Sequence, residues 1–447
     1  MQTNENHEAN TFFGNIFNVR NLQRSAAQSV GGFWSGGAER VLNLLLLPLI
    51  LFSPFVRIAG LPFRIDFSDI LLLFVAFAIV KNGWWRKYLK IITIFSAIAL
   101  YILFTIFING LYTTANCYFE IYKYLKLIIF YIFFSEMNRE VDIMPVVNVC
   151  FIAIFLFNIL HFFNIFDFNS VVMPYYCGDD STQLQYFGYD SIGRPATRRA
   201  LGVMGNPNNN ALLFLFFLIM YAPRKDWKKS YIILFFTALI AFLCCQSRTG
   251  LVAFSAILIA NYLFSGIPVK RILVQLSVII CFSLFVFNFS DIMLFLHISP
   301  PVRPMNYSLS LLDGSALKSH SWSERIQIWK QLLLMVKDHP LFGYGPNKNF
   351  FYENNLFSEN EYILMLWRYG IVGLMAYLSL YLYPIFRAFK KLKENVAARQ
   401  TFMIAVAFMT AALTNNPISS VKLALILMLV YSFDKSKISS SDIKQTL

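Results

Sequence analysis

Residues 91–111 read IITIFSAIALYILFTIFINGL, and they follow directly on Lys81-Asn-Gly-Trp-Trp-Arg86-Lys87-Tyr-Leu-Lys90. The run carries no charged side chain. Coiled as a helix at 1.5 Å per residue it is roughly 30 Å long, the thickness of the hydrocarbon core of a bilayer. In lipid the backbone must satisfy itself, so an unbroken apolar run with no polar alternation has to be a spanning helix rather than a strand of an open sheet. The basic cluster before it marks the end that stays in the cytoplasm.

Working outward, eleven further apolar runs qualify as spans: 41–56, 66–80, 118–134, 144–166, 208–221, 231–246, 249–264, 272–289, 362–386, 401–413 and 418–433. The expected fold is therefore all-α, a polytopic membrane helix bundle of about 12 transmembrane helices with a helical extracytoplasmic loop. The composition agrees. The 447 residues are 57% hydrophobic with only 14% charged side chains, against about a quarter in soluble domains. Forty-seven Phe and 23 Tyr suit a lipid-facing surface with aromatic belts.

The net charge of +14 does not point to nucleic acid, because Lys and Arg lie in short connections between the apolar runs. Lys81, Arg86, Lys87 and Lys90 follow the second span, and Arg224, Lys225, Lys228 and Lys229 follow the sixth. Lys270 and Arg271 after the eighth, and Arg387, Lys390, Lys391, Lys393 and Arg399 after the tenth, fall on the same side under strict alternation. Both termini are then expected in the cytoplasm, residues 1–40 and 434–447 as tails, with residues 41–433 as the transmembrane domain. Two long hydrophilic loops, 167–207 and 290–361, face outward, and chemistry is expected there. The first forty residues lack the basic, apolar and small-residue order of a cleavable signal. The six Cys show no metal spacing, and Cys117 and Cys177, on the outside, leave one disulfide open.

In the first outer loop Arg194, Arg198 and Arg199 precede Gly202-Val-Met-Gly205-Asn206-Pro207-Asn208. Asn206 suits an N-cap and Pro207 the first helical position, so free amides at that helix start, with guanidiniums nearby, form an anion site suited to a lipid diphosphate. Headgroup contact is the alternative for any one of these arginines. Ser247-Arg248-Thr249-Gly250 leaves almost no room between two spans, fixing Arg248 at the outer boundary. In the second loop Ser321-Trp-Ser-Glu324-Arg325 reads as a capping box opening an amphipathic surface helix through Ile326, Trp329, Leu332, Leu333 and Val336. Arg325 opposes the helix dipole there, so a negative partner is expected, either Glu324 or a substrate phosphate. His339, before Pro340, reads as a turn residue. Glu120, Lys123 and Lys126 lie inside the fourth span, where snorkelling and function compete as explanations.

These segments resemble the O-antigen ligase and O-antigen polymerase superfamily. The resemblance rests on Gly202 to Asn208, Ser247-Arg248, Arg325 to Trp329, Pro340-Leu-Phe-Gly-Tyr-Gly345, and Asn360-Glu361-Tyr362 leading into Trp367-Arg-Tyr-Gly-Ile-Val-Gly-Leu374. Arg194 to Gly205, and Arg303 to Gly314, also fit an Arg-x10-Gly pattern described for the polymerases. Ligases typically carry His-Asn where this chain has Glu359-Asn360, which favours the polymerase branch. The resemblance implies a glycosyltransferase that uses no cofactor and no metal, moving a growing glycan from undecaprenyl diphosphate onto the next lipid-linked oligosaccharide at the outer face of the bacterial inner membrane. A chain-length regulator protein is the implied partner. On this reading Arg194, Arg199, Arg248 and Arg325 hold the diphosphates, Glu359 or Glu324 is the base, and Tyr and Trp of the outer loops stack on sugars. A ligase, or from another class a flippase or transporter, is the alternative. The long second loop and the lack of an internal repeat count against transport.

Overall fold

The protein is described here from a computed structural model, which covers residues 37–54, 56–57, 64–108, 115–137, 142–177, 199–224, 227–288, 320–354, 356 and 358–433. Most of the two terminal tails, Arg194, Arg198, Arg303, residues 178–198 of the first long loop and residues 290–319 of the second lie outside these residues.

Every expected span is a helix within a few residues of its apolar run. In chain order they are α1 (Gly37–Phe52), α2 (Phe67–Lys81), α3 (Leu89–Ile108), α4 (Ala115–Met137), α5 (Met144–Phe163), α6 (Pro207–Met220), α7 (Lys229–Cys244), α8 (Arg248–Phe264) and α9 (Val269–Phe287). The amphipathic α10 (His320–Val336) precedes α11 (Glu361–Phe389), α12 (Val396–Ala411) and α13 (Val421–Ser432). Among the described residues the only strands are the two-residue pair Val56–Arg57 and Arg64–Ile65. By length and composition four helical stretches could cross a membrane unaided: Trp84–Ile108, which joins a 3-10 turn to α3, with α5, α9 and α11.

Two of the shorter apolar helices, α6 and α13, are enclosed by protein. In α6 every residue from Ala211 to Met220 is at most 1% exposed, and Leu423 to Val430 of α13 are at most 3% exposed. A helix apolar on all sides belongs in a core, and α6 sits among α7, α8, α12 and α13. Its fourteen residues give about 21 Å, less than the roughly 30 Å hydrocarbon layer. One end of α6 therefore stops within the membrane thickness, where non-helical backbone is tolerated only when protein or a cavity surrounds it. The outer helices show the opposite pattern: α3 and α9 present Leu100, Phe107, Val269 and Leu273 outward, as lipid-facing helices should.

Polar residues in the fourth span do not snorkel. Lys123 pairs with Glu120 at 2.5 Å and Lys126 with Asp69 at 2.5 Å and Asp66 at 3.2 Å, and all but the half-buried Asp69 are buried. Tyr122 donates to Asp69 at 2.7 Å, and Arg368 of α11 approaches Glu120 at 3.7 Å. The charges thus neutralise one another inside the bundle and tie α2, α4 and α11 together.

α11 is broken at Gly370, whose φ of 60° and ψ of −164° leave the helical region. The Pro340–Gly345 turn docks into that break. Ile371 N–H donates to Pro340 O at 2.9 Å, Tyr344 N–H to Trp367 O at 2.9 Å and Gly345 N–H to Arg368 O at 2.7 Å. A Cβ on Gly370 would lie 2.2 Å from Leu341 backbone, and one on Gly343 2.5 Å from Trp367 O, so both positions need glycine for closeness as well as for positive φ. Trp367 is stacked by Tyr344 and Phe350 at 5.0 and 5.2 Å between ring centres. Two motifs thirty residues apart are one interlocked unit. Tyr344 is consequently a packing residue, not a sugar platform.

Candidate functional site

Three helix starts and one interhelical loop build the site. Asn206 caps α6, its side chain accepting from the Asn208 and Asn209 amides at 2.9 and 3.2 Å, with Pro207 at the first helical position. Ser247 caps α8 by accepting from Gly250 N at 3.0 Å. Asn360 caps α11 by accepting from Ile363 N at 3.1 Å. Each cap takes up one or two amides and leaves the positive end of the helix dipole in place.

The connection from α12 to α13, residues 412–420, joins all three. Asn415 Nδ2 donates to Asn209 Oδ1 at 3.0 Å, Thr414 shares a hydroxyl hydrogen bond with Thr249, and Asn416 Nδ2 donates to Ser358 O at 2.7 Å. Glu361 fixes this loop to α11. Its buried carboxylate accepts from Ile418 N at 3.2 Å, Ser419 N at 3.1 Å and Tyr377 OH at 2.7 Å, while its own amide donates to Ala412 O at 2.9 Å. Neither the Thr414-Asn-Asn-Pro417 turn nor a role for Glu361 was found from sequence. The detectable signal was a run of small polar residues followed by Pro between two short apolar runs.

Arg199 is buried, and its guanidinium is directed inward: Nε donates to Cys245 O at 3.1 Å and Nη2 to Asn208 Oδ1 at 3.0 Å. Ser247 Oγ donates to the same Asn208 oxygen at 2.8 Å. Arg199 therefore binds the start of α6 to the turn that delivers Arg248, the first residue of α8. Ala200 N–H donates to Cys244 O at 2.9 Å, Leu201 N–H to His161 Nε2 at 3.0 Å, and Lys422 Nζ to Val203 O at 3.0 Å, which locks the 199–206 segment against α5, α7 and α13.

Arg325 and Glu359, assigned separately from sequence, form an ion pair with each other. The negative partner expected for Arg325 is thus supplied by the far end of the second loop rather than by Glu324, the neighbour that sequence offered. Both side chains keep partial exposure, 27% for Arg325 and 42% for Glu359, so the pair stays open to solvent beside the capped start of α11. The capping-box reading is corrected as well, because α10 begins at His320 and Ser321 lies inside its first turn. Glu324 is exposed on α10. His339 is exposed and packs edge-on against Tyr344 at 4.5 Å, a turn residue as expected. Cys117 and Cys177 are both free thiols, so the outer disulfide left open by the sequence is not formed.

Residues 233–378 match the sequence model of a family described as O-antigen ligase. The matched segment is about a third of the chain and contains Arg248, Arg325, Glu359 and the Gly370 interlock. It bears out the resemblance to the O-antigen ligase and polymerase superfamily, without distinguishing the polymerase branch. No curated protein matches the chain. The match and the helical membrane architecture together liken the chain to integral membrane proteins of polysaccharide assembly.

Proposed function

We propose that the protein is a polymerase of undecaprenyl-diphosphate-linked oligosaccharide repeat units, transferring the growing glycan onto the next lipid-linked unit at the outer face of the bacterial inner membrane. The observation that carries this reading is the Arg325–Glu359 ion pair beside the capped start of α11, where ligases carry His-Asn. The basic connections between spans support cytoplasmic termini, residues 1–40 and 434–447, around the transmembrane domain 41–433.

The transfer forms a bond from an acceptor sugar hydroxyl to the donor anomeric carbon and breaks the bond from that carbon to the diphosphate. Negative charge accumulates on the departing diphosphate, and the hydroxyl proton must leave. On this reading Arg248, the first residue of α8, and Arg325 receive the charge, with Arg194 as a further ligand. Arg199, held by Cys245 O and Asn208, is the positioning residue that sets the Arg248 turn. A diphosphate competing for Arg325 releases the Glu359 carboxylate, which then takes the hydroxyl proton; Glu324 is the alternative base. Binding of the donor and exposure of the base are thereby one event. Arginines supply the countercharge without a metal ion. The chain-length regulator is the expected protein partner.

The family description favours a second reading, transfer of finished glycan by a ligase. Deletion separates the two. Loss of a polymerase leaves surface lipid with a single repeat unit, whereas loss of a ligase leaves long chains on the lipid carrier. Within the polymerase reading, Arg248→Lys and Arg325→Lys should each lower chain extension from purified lipid-linked units about 30- to 1000-fold, because an ammonium cannot reproduce the guanidinium fork. Activity should persist with excess chelator. Full activity of both variants would reject the diphosphate role.

A further inference from the structure

A groove with a cavity volume of about 1150 Å³ runs between α3 and α11. It is larger than the roughly 300–1000 Å³ of ordinary small-molecule pockets. Its walls are apolar over most of their length, with Ile94 and Ile98 on α3 facing Met365 and Leu380 on α11. On the α11 side, Gly373, Ala376 and Ser379 recur every three residues and keep that wall shallow. One end lies beside Tyr101 and Tyr369, where the Tyr101 hydroxyl donates to Tyr369 O at 2.7 Å. The other ends among Arg86, Lys87, Lys90 and Arg387, and no carboxylate lines the groove anywhere.

The charge arrangement selects the occupant. Arg86, Lys87, Lys90 and Arg387 stand together at its mouth, all four exposed to solvent, with Lys87 also pairing at 2.7 Å with Glu136, which lies outside the groove lining. A sugar pathway would need polar groups along its whole length, and the middle of this groove has few. A bare prenyl tail would fill the apolar walls and leave the cationic mouth unmatched. A molecule with long apolar chains and a negative head matches both ends, and basic pockets between spans on the positive side of a bundle take such headgroups.

We propose that this groove binds one phospholipid with an anionic headgroup, its acyl chains lying between α3 and α11 and its phosphate among Arg86, Lys90 and Arg387. The leaflet of origin rests on the proposed orientation, in which the basic mouth is cytoplasmic; the binding itself does not. Tyr377 of the groove wall donates to Glu361, so the occupied groove abuts the residue that holds the 412–420 loop.

The test is native mass spectrometry of the full-length protein, purified in detergent and offered phosphatidylglycerol, phosphatidylethanolamine of the same acyl length, or a C55 prenyl phosphate. Wild type should retain one phosphatidylglycerol in preference to the other two. The triple variant Arg86→Gln/Lys90→Gln/Arg387→Gln should lose that preference by about tenfold or more, since each cation near an anionic headgroup supplies several-fold in affinity. Ala376→Phe, which fills the groove and leaves the mouth intact, should abolish retention while the protein remains monodisperse on size exclusion. Equal retention of the two phospholipids, unchanged retention by either variant, or capture of the prenyl phosphate in place of phosphatidylglycerol overturns the proposal. Thiol labelling at Lys228→Cys reports the orientation independently, so a reversed topology is distinguishable from an empty groove.

Discussion

Replacing Gly370 by Ala should undock the Pro340–Gly345 turn from α11. At φ 60° and ψ −164° the residue sits at the edge of a region that essentially only glycine occupies. Strain of that kind costs on the order of 1–3 kcal/mol. A Cβ would also lie 2.2 Å from both the carbonyl carbon and the oxygen of Leu341. Those atoms are backbone in a turn held by three amide hydrogen bonds of 2.7–2.9 Å, so they cannot yield without breaking the bonds. Taking about 3 kcal/mol as the minimum total, docking should weaken by about 150-fold. Hydrogen exchange read by mass spectrometry would follow the amides of Tyr344, Gly345 and Ile371, the three donors of the interlock. They should lose at least about a hundredfold in protection in the variant, with amides inside α6 unchanged as the control. Unchanged protection at these three amides would show that the turn is held by the aromatic stack on Trp367 alone, and the interlock argument would be wrong.

Three further outcomes are expected. Glu361→Gln keeps the shape but weakens the acceptor for the Ile418 and Ser419 amides, and should lower thermal stability by about 1–3 kcal/mol and loosen the 412–420 loop; a wild-type melting profile and wild-type exchange there would contradict the clamp. Burial pushes the Cys177 thiol up to about 12, and since the thiolate is the reactive form, Cys177 should resist maleimide at pH 7.5 in the folded protein and react after denaturation. A thiol placed at Asn349 should label from outside permeabilised cells with a membrane-impermeant reagent, whereas one at Lys228 should not; the reverse pattern would invert the proposed topology.

The helices were legible because each is written locally, as an apolar run ended by charge or by turn residues. Asn206-Pro207 even specified its own cap and first turn, as found. Contacts between distant segments were not legible. Nothing near Arg325 announces Glu359, thirty-four residues on, and nothing near Lys126 announces Asp66 and Asp69. The sequence offered the nearest carboxylate, Glu324, and a surface exit for Lys123, because local reasoning only sees neighbours. Likewise the glycines of Pro340–Gly345 and of Trp367–Leu374 could be read as two turns. That they are two halves of one contact depends on the chain returning after α10. Arg199 shows the same limit from the other side: its charge was visible, but its direction depends on Cys245 and Asn208.

Under the proposed function, the shortness of α6 has an energetic consequence for the carrier lipid. If its basic-flanked end lies at one boundary of the hydrocarbon layer, its capped end stops about 9 Å short of the other, from the helix rise and the bilayer thickness. A site on the headgroup plane would have to hoist the prenyl chain partly into water, at about 0.8 kcal/mol for each methylene exposed. A floor sunk below that plane lets the diphosphate descend to the protein while the tail stays in oil. On that reading, the thin middle of the bundle brings the proposed transfer down to where the carrier rests.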